Sequence, residues 1–512
     1  MPDCCWVFIA VLVGSVVSVK GGIALAPSLG GLDIPTGHKQ HERPVPYLGG
    51  LGVMAALMLF VVMDGTRLMT MESSALMSVM LGGSIIFLMG LADDRWNLCY
   101  RLRLLMQSVA ALIMIFGAGV ALVSLGELVP GLFIGLGVFS IPLTIFGVLS
   151  VSNALNMMDG IDGLSGLLSL ISFLLLAIVA YSAGDQANGL LALSLAGGVM
   201  GFLVYNMRCC GRRGAAVYLG DNGSMLIGFM LAWLFIDLSQ GPDAAMTPVT
   251  ALFFFSLPLY DSALTIARRV WLKKSPFRAD RSHLHHLLLD AGASVETAAF
   301  IMAGLHLLLG LIGLFGFYLG VAEWLLFQVF VLLSLVYAFV VLRPWRFVPW
   351  MRILMVRLGI TLQHGNGIFI DGVHPDDVAS LVAELHPLLP PRAGIRAYAY
   401  SPPHLTHEAV FIVVDLGSWY EVRKTLPRLR QYLSMEHPYE VRQYIARNPS
   451  NDRRSAKRHP GYDLRRTDRR GQYPLREIVL DPEDRSVKHW REYDDRRLSV
   501  QQEKTACAHQ QL

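Results

Sequence analysis

Charge is what this chain has least of. Asp, Glu, Lys and Arg make up 16% of its 512 residues, against about a quarter in an average soluble domain. The deficit is uneven, because charged residues gather in short islands and in the last third, so a large soluble helical core is the weaker reading. Cysteine is scarce too. The six fall at Cys4-Cys5, Cys99, Cys209-Cys210 and Cys507, with no Cys-x-x-Cys and no Cys/His zinc spacing, which speaks against a zinc module and leaves free thiols as the expectation. No internal repeat is visible. A positively charged leader flank is also missing: Met1-Pro-Asp precedes Cys4, and the first cation, Lys20, lies on the far side of the first apolar run, which therefore reads as a retained anchor.

What is present is hydrophobic sequence, 54% of the chain. Apolar stretches able to cross a hydrocarbon layer, which takes about 20 residues, recur near 4–25, 46–63, 75–92, 104–124, 128–150, 164–182, 189–206, 224–238, 247–267, 297–319 and 322–342. The fold class expected is an all-α polytopic membrane protein of about eleven transmembrane helices. Lys and Arg collect in the loops after the odd-numbered spans: Lys39 and Arg43; Arg95, Arg101 and Arg103; Arg208, Arg212 and Arg213; then Arg268 to Arg281. Arg67 alone falls between the others. Cytoplasmic loops carry such an excess, so these loops and the C-terminal third are expected in the cytoplasm, and the protein in the inner membrane. The net charge of +4 is then a product of topology, and no nucleic-acid partner is expected.

Residues 1–345 are read as the transmembrane domain. From about 352 to 447, strand-like runs such as Gly367-Ile-Phe-Ile-Asp371 and Ala409-Val-Phe-Ile-Val-Val-Asp415 alternate with amphipathic helical ones, suggesting a small cytoplasmic α/β appendage. Residues 448–512 turn to text such as NDRRSAKRHPGYDLRRTDRRGQ, too poor in aliphatic side chains to offset the entropy of ordering, and are expected to be disordered.

Ionisable groups at membrane depth are costly and mark function. Here they are predicted to lie at one face: Asp93-Asp94 at the end of the third span, Asp159 and Asp162 in the stretch NALNMMDGIDG after the fifth, Asp221 opening the eighth, and His283, His285 and His286 between the ninth and tenth. Each alone is compatible with capping, turn or surface chemistry; their coincidence is the signal. The 153–163 stretch has no Lys or Arg within it. Converging carboxylates repel one another unless a cation or a shared proton relieves them. Oxygen ligands without cysteine favour Mg²⁺, with Mn²⁺ the other metal admitted, and Mg²⁺ is typically held by one or two carboxylates plus substrate phosphates. Glycine-rich turns let backbone N–H groups approach phosphate. The arrangement suits phosphoryl transfer from a water-soluble donor to a lipid acceptor.

Four motifs, DD at 93–94, NxxNxxDGxDGL at 153–164, GDNGSMLIGF at 220–229 and SPFRADRSHLHHLL at 275–288, resemble in order and spacing those of the polyprenyl-phosphate N-acetylhexosamine-1-phosphate transferases (glycosyltransferase 4). Arg281-Ser-His-Leu-His-His286 is similar to the WecA-like branch, which takes UDP-N-acetylglucosamine or a related UDP-N-acetylhexosamine; the branch that takes a muramoyl-pentapeptide donor has three consecutive histidines there. The resemblance implies a Mg²⁺-dependent attack of undecaprenyl phosphate on the β-phosphorus of the UDP-sugar, releasing UMP and starting O-antigen or another envelope polysaccharide. It also implies Asp221 and Asp93 as metal ligands, with Asp93 activating the lipid phosphate and Asp94 supporting it. Asn153, Asn156, Asp159, Gly160 and Asp162 would form the nucleotide and catalytic loop, Tyr218 would stack on uracil, and Arg281, His283, His285 and His286 would hold the donor's diphosphate and sugar. Membrane lipids are expected neighbours, and a homodimer is among the assemblies allowed. The sequence departs from the family at Pro44, where some members have Lys, at Tyr218, often Phe, and in its length beyond 345. An ion-coupled carrier would instead place its acids at the bilayer midplane in two repeated halves. A membrane sensor or scaffold acting through the C-terminal third would have no need of intact acids and histidines.

Overall fold

The computed structural model describes residues 2–33, 44–65, 70–208, 212, 214–273, 275 and 283–343, and beyond them 347–348, 350–351, 354–355, 358, 366–374, 377–389, 394–400, 409–415, 425, 427–429, 431–433, 440–445, 476–480 and 487–492. The chain divides into two compact units, residues 1–287 with 295–343, and residues 288–294 with 344–512.

The first unit is helical because hydrocarbon offers no partner to a backbone N–H or C=O, so each apolar run must satisfy its own. Its helices are α1 (Pro2–Leu29), α2 (Gly50–Met63), α3 (Ser73–Trp96), α4 (Tyr100–Ala118), α5 (Ser140–Met158), α6 (Leu164–Ala183), α7 (Gln186–Asn206), α8 (Gly220–Asp237), α9 (Pro248–Phe254), α10 (Ser256–Trp271), α11 (Leu284–Asp290), α12 (Val295–Tyr318) and α13 (Glu323–Val341). Among the described residues eight are long and apolar enough to cross a membrane, or nine if α9 and α10, bent by 83° at their junction, count as one span. The eleven expected runs thus each contain a helix, although α2 has only 14 residues and α8 begins with the polar turn Gly-Asp-Asn-Gly-Ser.

One expected span is displaced. Residues 124–135, of which 128–135 are expected in the fifth span, form a two-stranded hairpin of β3 (Ser124–Val129) and β4 (Leu132–Gly135), after the short pair β1 (Leu32–Asp33) and β2 (Val45–Pro46). Helix α5 therefore starts at Ser140, not at 128 as expected, and carries Asn153 and Asn156 on its last turns.

Helix α8 is the hub. It is buried from Asn222 to Ile236, and glycines let its neighbours come within backbone contact. A Cβ at Gly90 of α3 would lie 2.4 Å from Asn222 Cα, one at Gly50 of α2 2.6 Å from Gly223 Cα, and one at Gly228 2.5 Å from Ser152 Cα of α5. Small residues at helix crossings are how membrane bundles gain dispersion contact. The polar groups then fall at two ends of the bundle. At one end Glu323 accepts from Glu127 N at 2.8 Å and Val249 N at 3.4 Å, and Gln240 accepts from Val123 N and Ser124 N at 3.0 and 2.9 Å. The sequence-predicted acids lie at the other.

The second unit contains a six-stranded antiparallel sheet of order β10-β9-β6-β7-β5-β8, with β5 (Asn366–Val373), β6 (Gly394–Tyr400), β7 (Ala409–Asp415), β8 (Glu440–Ile445), β9 (Arg476–Leu480) and β10 (Val487–Glu492). Strands β5 to β8, with the helix Val378–Leu385 and helical residues 427–429 and 431–433, follow the β-α-β-β-α-β order of a ferredoxin-like unit. Its core is Ile370, Val373, Val378, Leu381, Val382, Leu385, Ile412, Val414, Leu429 and Leu433. Within 448–512 the described residues are those of β9 and β10, which pair with each other and extend the sheet through Ala397↔Ile478.

Candidate active site

The last turns of α3 and α5 and the first turn of α8 meet. Asp94 spends both carboxylate oxygens on α8, accepting from Asp221 N at 2.9 Å, Asn222 N at 3.2 Å and Asn222 Nδ2 at 2.6 Å. It satisfies the orphan N–H groups that open every helix and places negative charge at a helix N-terminus, where it is favoured. Asn222 Nδ2 also donates to Tyr47 O at 2.8 Å. Residues 46–50 and 218–219 are laced together by Tyr218 N to Pro46 O (2.7 Å), Gly49 N to Tyr218 O (2.9 Å) and Gly50 N to Leu219 O (3.1 Å). The turn that presents Asp221 is thus fixed from two sides.

Asn156, one of the motif amides, donates from Nδ2 to Asp221 Oδ1 at 2.6 Å and to Ser224 Oγ at 3.0 Å. Arg103 of α4 completes the cluster: its Nη1 lies 2.8 Å from Asp93 Oδ2 and 3.7 Å from Asp221 Oδ2. Asp93, 5% exposed, also accepts from Leu98 N at 2.7 Å. The impression that the acids lack protein cations is therefore corrected in space. Arg103 approaches two of them, and Arg208 Nε approaches Asp162 Oδ2 at 2.7 Å, from segments remote in sequence from the 153–163 stretch.

Two motif residues are engaged in scaffolding. Asp162 takes Ala215 N at 3.1 Å besides Arg208, tying down the segment that leads to Tyr218. Asn153 donates to Gln107 Oε1 at 2.9 Å and Leu149 O at 2.8 Å, joining α5 to α4. Asp159 accepts from Ser165 Oγ at 2.5 Å; burial pushes its carboxyl up to about 6, and the nearby charges of Asp94 and Asp162 push the same way. Burial, aided by Asp162, pushes the half-buried Tyr218 hydroxyl up to about 12, so that side chain stays neutral. Gly163 N is held by Asn206 Oδ1 at 2.6 Å.

The histidine segment arrives at the same end. A Cβ on Gly160 would sit 2.7 Å from His285 Nε2, so the Asp159–Gly163 turn and the His285 ring share one contact surface. His285 is 1% exposed, neither ring nitrogen has a hydrogen-bond partner among the described residues, and burial lowers it to about 3, so the imidazole is neutral. The rings of His283 and His285 are stacked, with centroids 5.5 Å apart at 8°, and His286 lies 4.2 Å from His285. Arg281 lies outside the described residues, as do Lys39 and Arg43 of the loop before Pro44.

Sequence reasoning missed Arg103, Asn206, Asn222, Asp261 and Tyr337. Arg103 stands ten residues from Asp93 across a helix break and was assigned only to topology. Asp261 is a lone acid inside an apolar span, a signal that the cost of membrane-embedded charge should have raised.

Among the described residues no group of three or more His, Cys, Asp and Glu side chains forms a ready metal cage. Mg²⁺ does not need one, since substrate phosphates and water complete its shell. The all-oxygen pair of Asp221 and Asp93, drawn to one guanidinium, fits that ion.

The helices and this end of the bundle define a polytopic membrane protein with a carboxylate- and histidine-lined polar site. A family model described as "Glycosyl transferase family 4" matches residues 76–239. The chain is 32% identical over 323 residues, 63% of its length and 87% of the relative's, to the undecaprenyl-phosphate alpha-N-acetylglucosaminyl 1-phosphate transferase of Yersinia pestis. It is 31% identical over 336 residues to the enzyme of that name in Escherichia coli K12, covering 65% and 90% of the two chains. With that of Pasteurella multocida it shares 33% over 337 residues, covering 64% and 90%. The chain belongs to glycosyl transferase family 4.

Proposed function

We propose that this chain transfers N-acetylglucosamine 1-phosphate from UDP-N-acetylglucosamine to undecaprenyl phosphate, at the cytoplasmic face of the inner membrane, as the initiating step of an envelope polysaccharide. An oxygen of the lipid phosphate attacks the β-phosphorus of the donor, the bond from that phosphorus to the bridging oxygen breaks, and UMP leaves. The observation that carries this reading is the convergence of Asp93, Asn156 and Asp221 on one another through Arg103 and the 2.6 Å Asn156–Asp221 bond. The names of the relatives support the substrates.

Asp221 and Asp93 would hold Mg²⁺, which when bound supplies neutralisation of charge on the pyrophosphate bridge. Asn156 orients the Asp221 carboxylate, and Asp94 fixes the turn that carries it. Arg103, beside both carboxylates, offers its fork to a phosphate. Asp159, with its carboxyl at about 6, is matched to accepting a proton near neutrality. His285, neutral and unpartnered, presents one ring nitrogen as a donor and one as an acceptor. Tyr218 keeps its hydroxyl protonated and offers a ring face to the base.

Purified protein in detergent, given UDP-N-acetylglucosamine labelled in the sugar, undecaprenyl phosphate and Mg²⁺, is expected to move label into the lipid phase with stoichiometric UMP. Label that remains in the aqueous phase under these conditions would remove the reading.

A further inference from the structure

Asp261 belongs to none of the motifs described above. It lies on α10, 1% exposed, and its two oxygens collect three donors. Oδ2 accepts from His283 Nδ1 at 2.5 Å, and Oδ1 from Tyr337 Oη at 2.5 Å and Leu284 N at 3.1 Å. The donors come from three places: the residue before α11, the first residue of α11, and α13, the last helix of the first unit. Tyr260, the neighbour of Asp261, donates to Phe330 O of α13 at 2.8 Å and packs its ring 5.9 Å from that of Tyr337. Helices α10 and α13 are therefore bolted together at the level of the carboxylate.

Burying a carboxylate costs free energy that apolar packing would not. A joint between α10 and α13 needs no charge, so the charge is explained by what else it touches. A carboxylate at Nδ1 fixes the tautomer and plane of an imidazole. Here it leaves Nε2 on the opposite edge of the His283 ring, and it holds that ring parallel to His285, which in turn abuts Gly160. Asp261 also anchors Leu284 N, so the start of the histidine helix is set by the same group.

Resting on the reading of this end as the sugar-nucleotide site, we propose that Asp261 and Tyr337 are positioning residues that set the His283 ring to receive the donor's diphosphate-sugar. Neither touches the reacting atoms; both act through His283. Helix α13 is thereby part of the donor site although it carries no motif residue.

The test is steady-state kinetics of the full chain in detergent, varying each substrate in turn. Asp261→Asn removes the charge without changing shape, and is expected to raise the donor KM about 10- to 100-fold, the usual penalty for a partner behind a functional histidine, with the undecaprenyl phosphate KM within about twofold of wild type. Tyr337→Phe removes a single oxygen and should raise the donor KM about fivefold, the effect of one net hydrogen bond; Asp261→Glu should recover part of the Asp261→Asn loss. A merely structural role would move both substrates' parameters together, and that result, or donor KM values unchanged in both variants, overturns the proposal. Should Asp261→Asn fail to accumulate in membranes, the donor-to-acceptor split in Tyr337→Phe decides. A wild-type protein that releases no UMP sinks the functional reading and this proposal with it; an active wild type with unmoved variants sinks this proposal alone.

Discussion

Arg103 Nη1 lies 2.8 Å from Asp93 Oδ2 and 3.7 Å from Asp221 Oδ2, so a residue of α4 balances acids on α3 and α8. Without it the nearly buried Asp93 keeps only the Leu98 N–H among these partners. Arg103→Ala is expected to cut kcat about 100-fold or more while the protein still accumulates in membranes, and Arg103→Lys, which keeps the charge and loses the fork, should fall between. UMP release at saturating substrates measures it; wild-type turnover in Arg103→Ala would remove the residue from the site.

Among the described glycines, Gly160 is where a methyl group would touch the histidine segment, at 2.7 Å from His285 Nε2. A contact under about 3 Å forces one partner to move, and a displacement near 1 Å at a reacting centre costs on the order of 100-fold. Gly160→Ala should therefore lose at least tenfold in kcat/KM without loss of thermal stability greater than a few degrees. His285, held neutral at about 3 by burial, should contribute no limb to the pH–rate profile between pH 5 and 8.

Asp159 gives a signed pH prediction for stability. Its folded value of about 6 exceeds its ordinary 3.8 because of burial, so between those values the folded form keeps a proton that the unfolded form releases. Stability then falls as pH rises through this window, and the cost is complete above about pH 6. Asp159→Asn abolishes the cost, so the melting temperature of the variant minus that of wild type should grow from pH 4.5 to 7. A difference independent of pH would show that Asp159 is not held protonated by its surroundings.

Magnesium dependence separates Asp221 from the amide that steadies it. Chelation should stop UMP release entirely and added Mg²⁺ should restore it. Asp221→Asn is expected to leave no measurable turnover at any Mg²⁺ concentration, whereas Asn156→Ala, which frees the carboxylate to rotate, should raise the Mg²⁺ needed for half-maximal rate about tenfold. Equal Mg²⁺ requirements in Asn156→Ala and wild type would show that the 2.6 Å bond does not govern the site.

The sequence shows the bundle because hydropathy reports directly on the solvent each helix must meet. It does not show the β3–β4 hairpin, whose Leu125, Leu128, Val129, Leu132, Phe133 and Ile134 read as apolar whether strand or helix; Pro130-Gly131 between them was the local turn signal. The motif positions are legible one by one. Their partners are not, because Arg103, Asn206 and Asp261 acquire meaning only when helices distant along the chain pack side by side. The same limit hides how the motif carboxylates divide their partners: Asp94 takes the N–H groups that open α8, Asp162 takes Arg208 and Ala215 N on Oδ2, and Asp93 takes Arg103 and Leu98 N.

Helix α2 has 14 residues, a rise of about 21 Å, against a hydrocarbon layer of roughly 30 Å. Its Met58 and Val62 are exposed on the first unit. A bilayer answers such a shortfall by local thinning. Gly50 stands at the end of α2 that touches Gly223 and the Asp221 turn, so thinning around α2 would fall beside the acids. A chain-like acceptor anchored by its tail would there find its phosphate already lowered to the depth of the acids, with no need to be lifted clear of the leaflet.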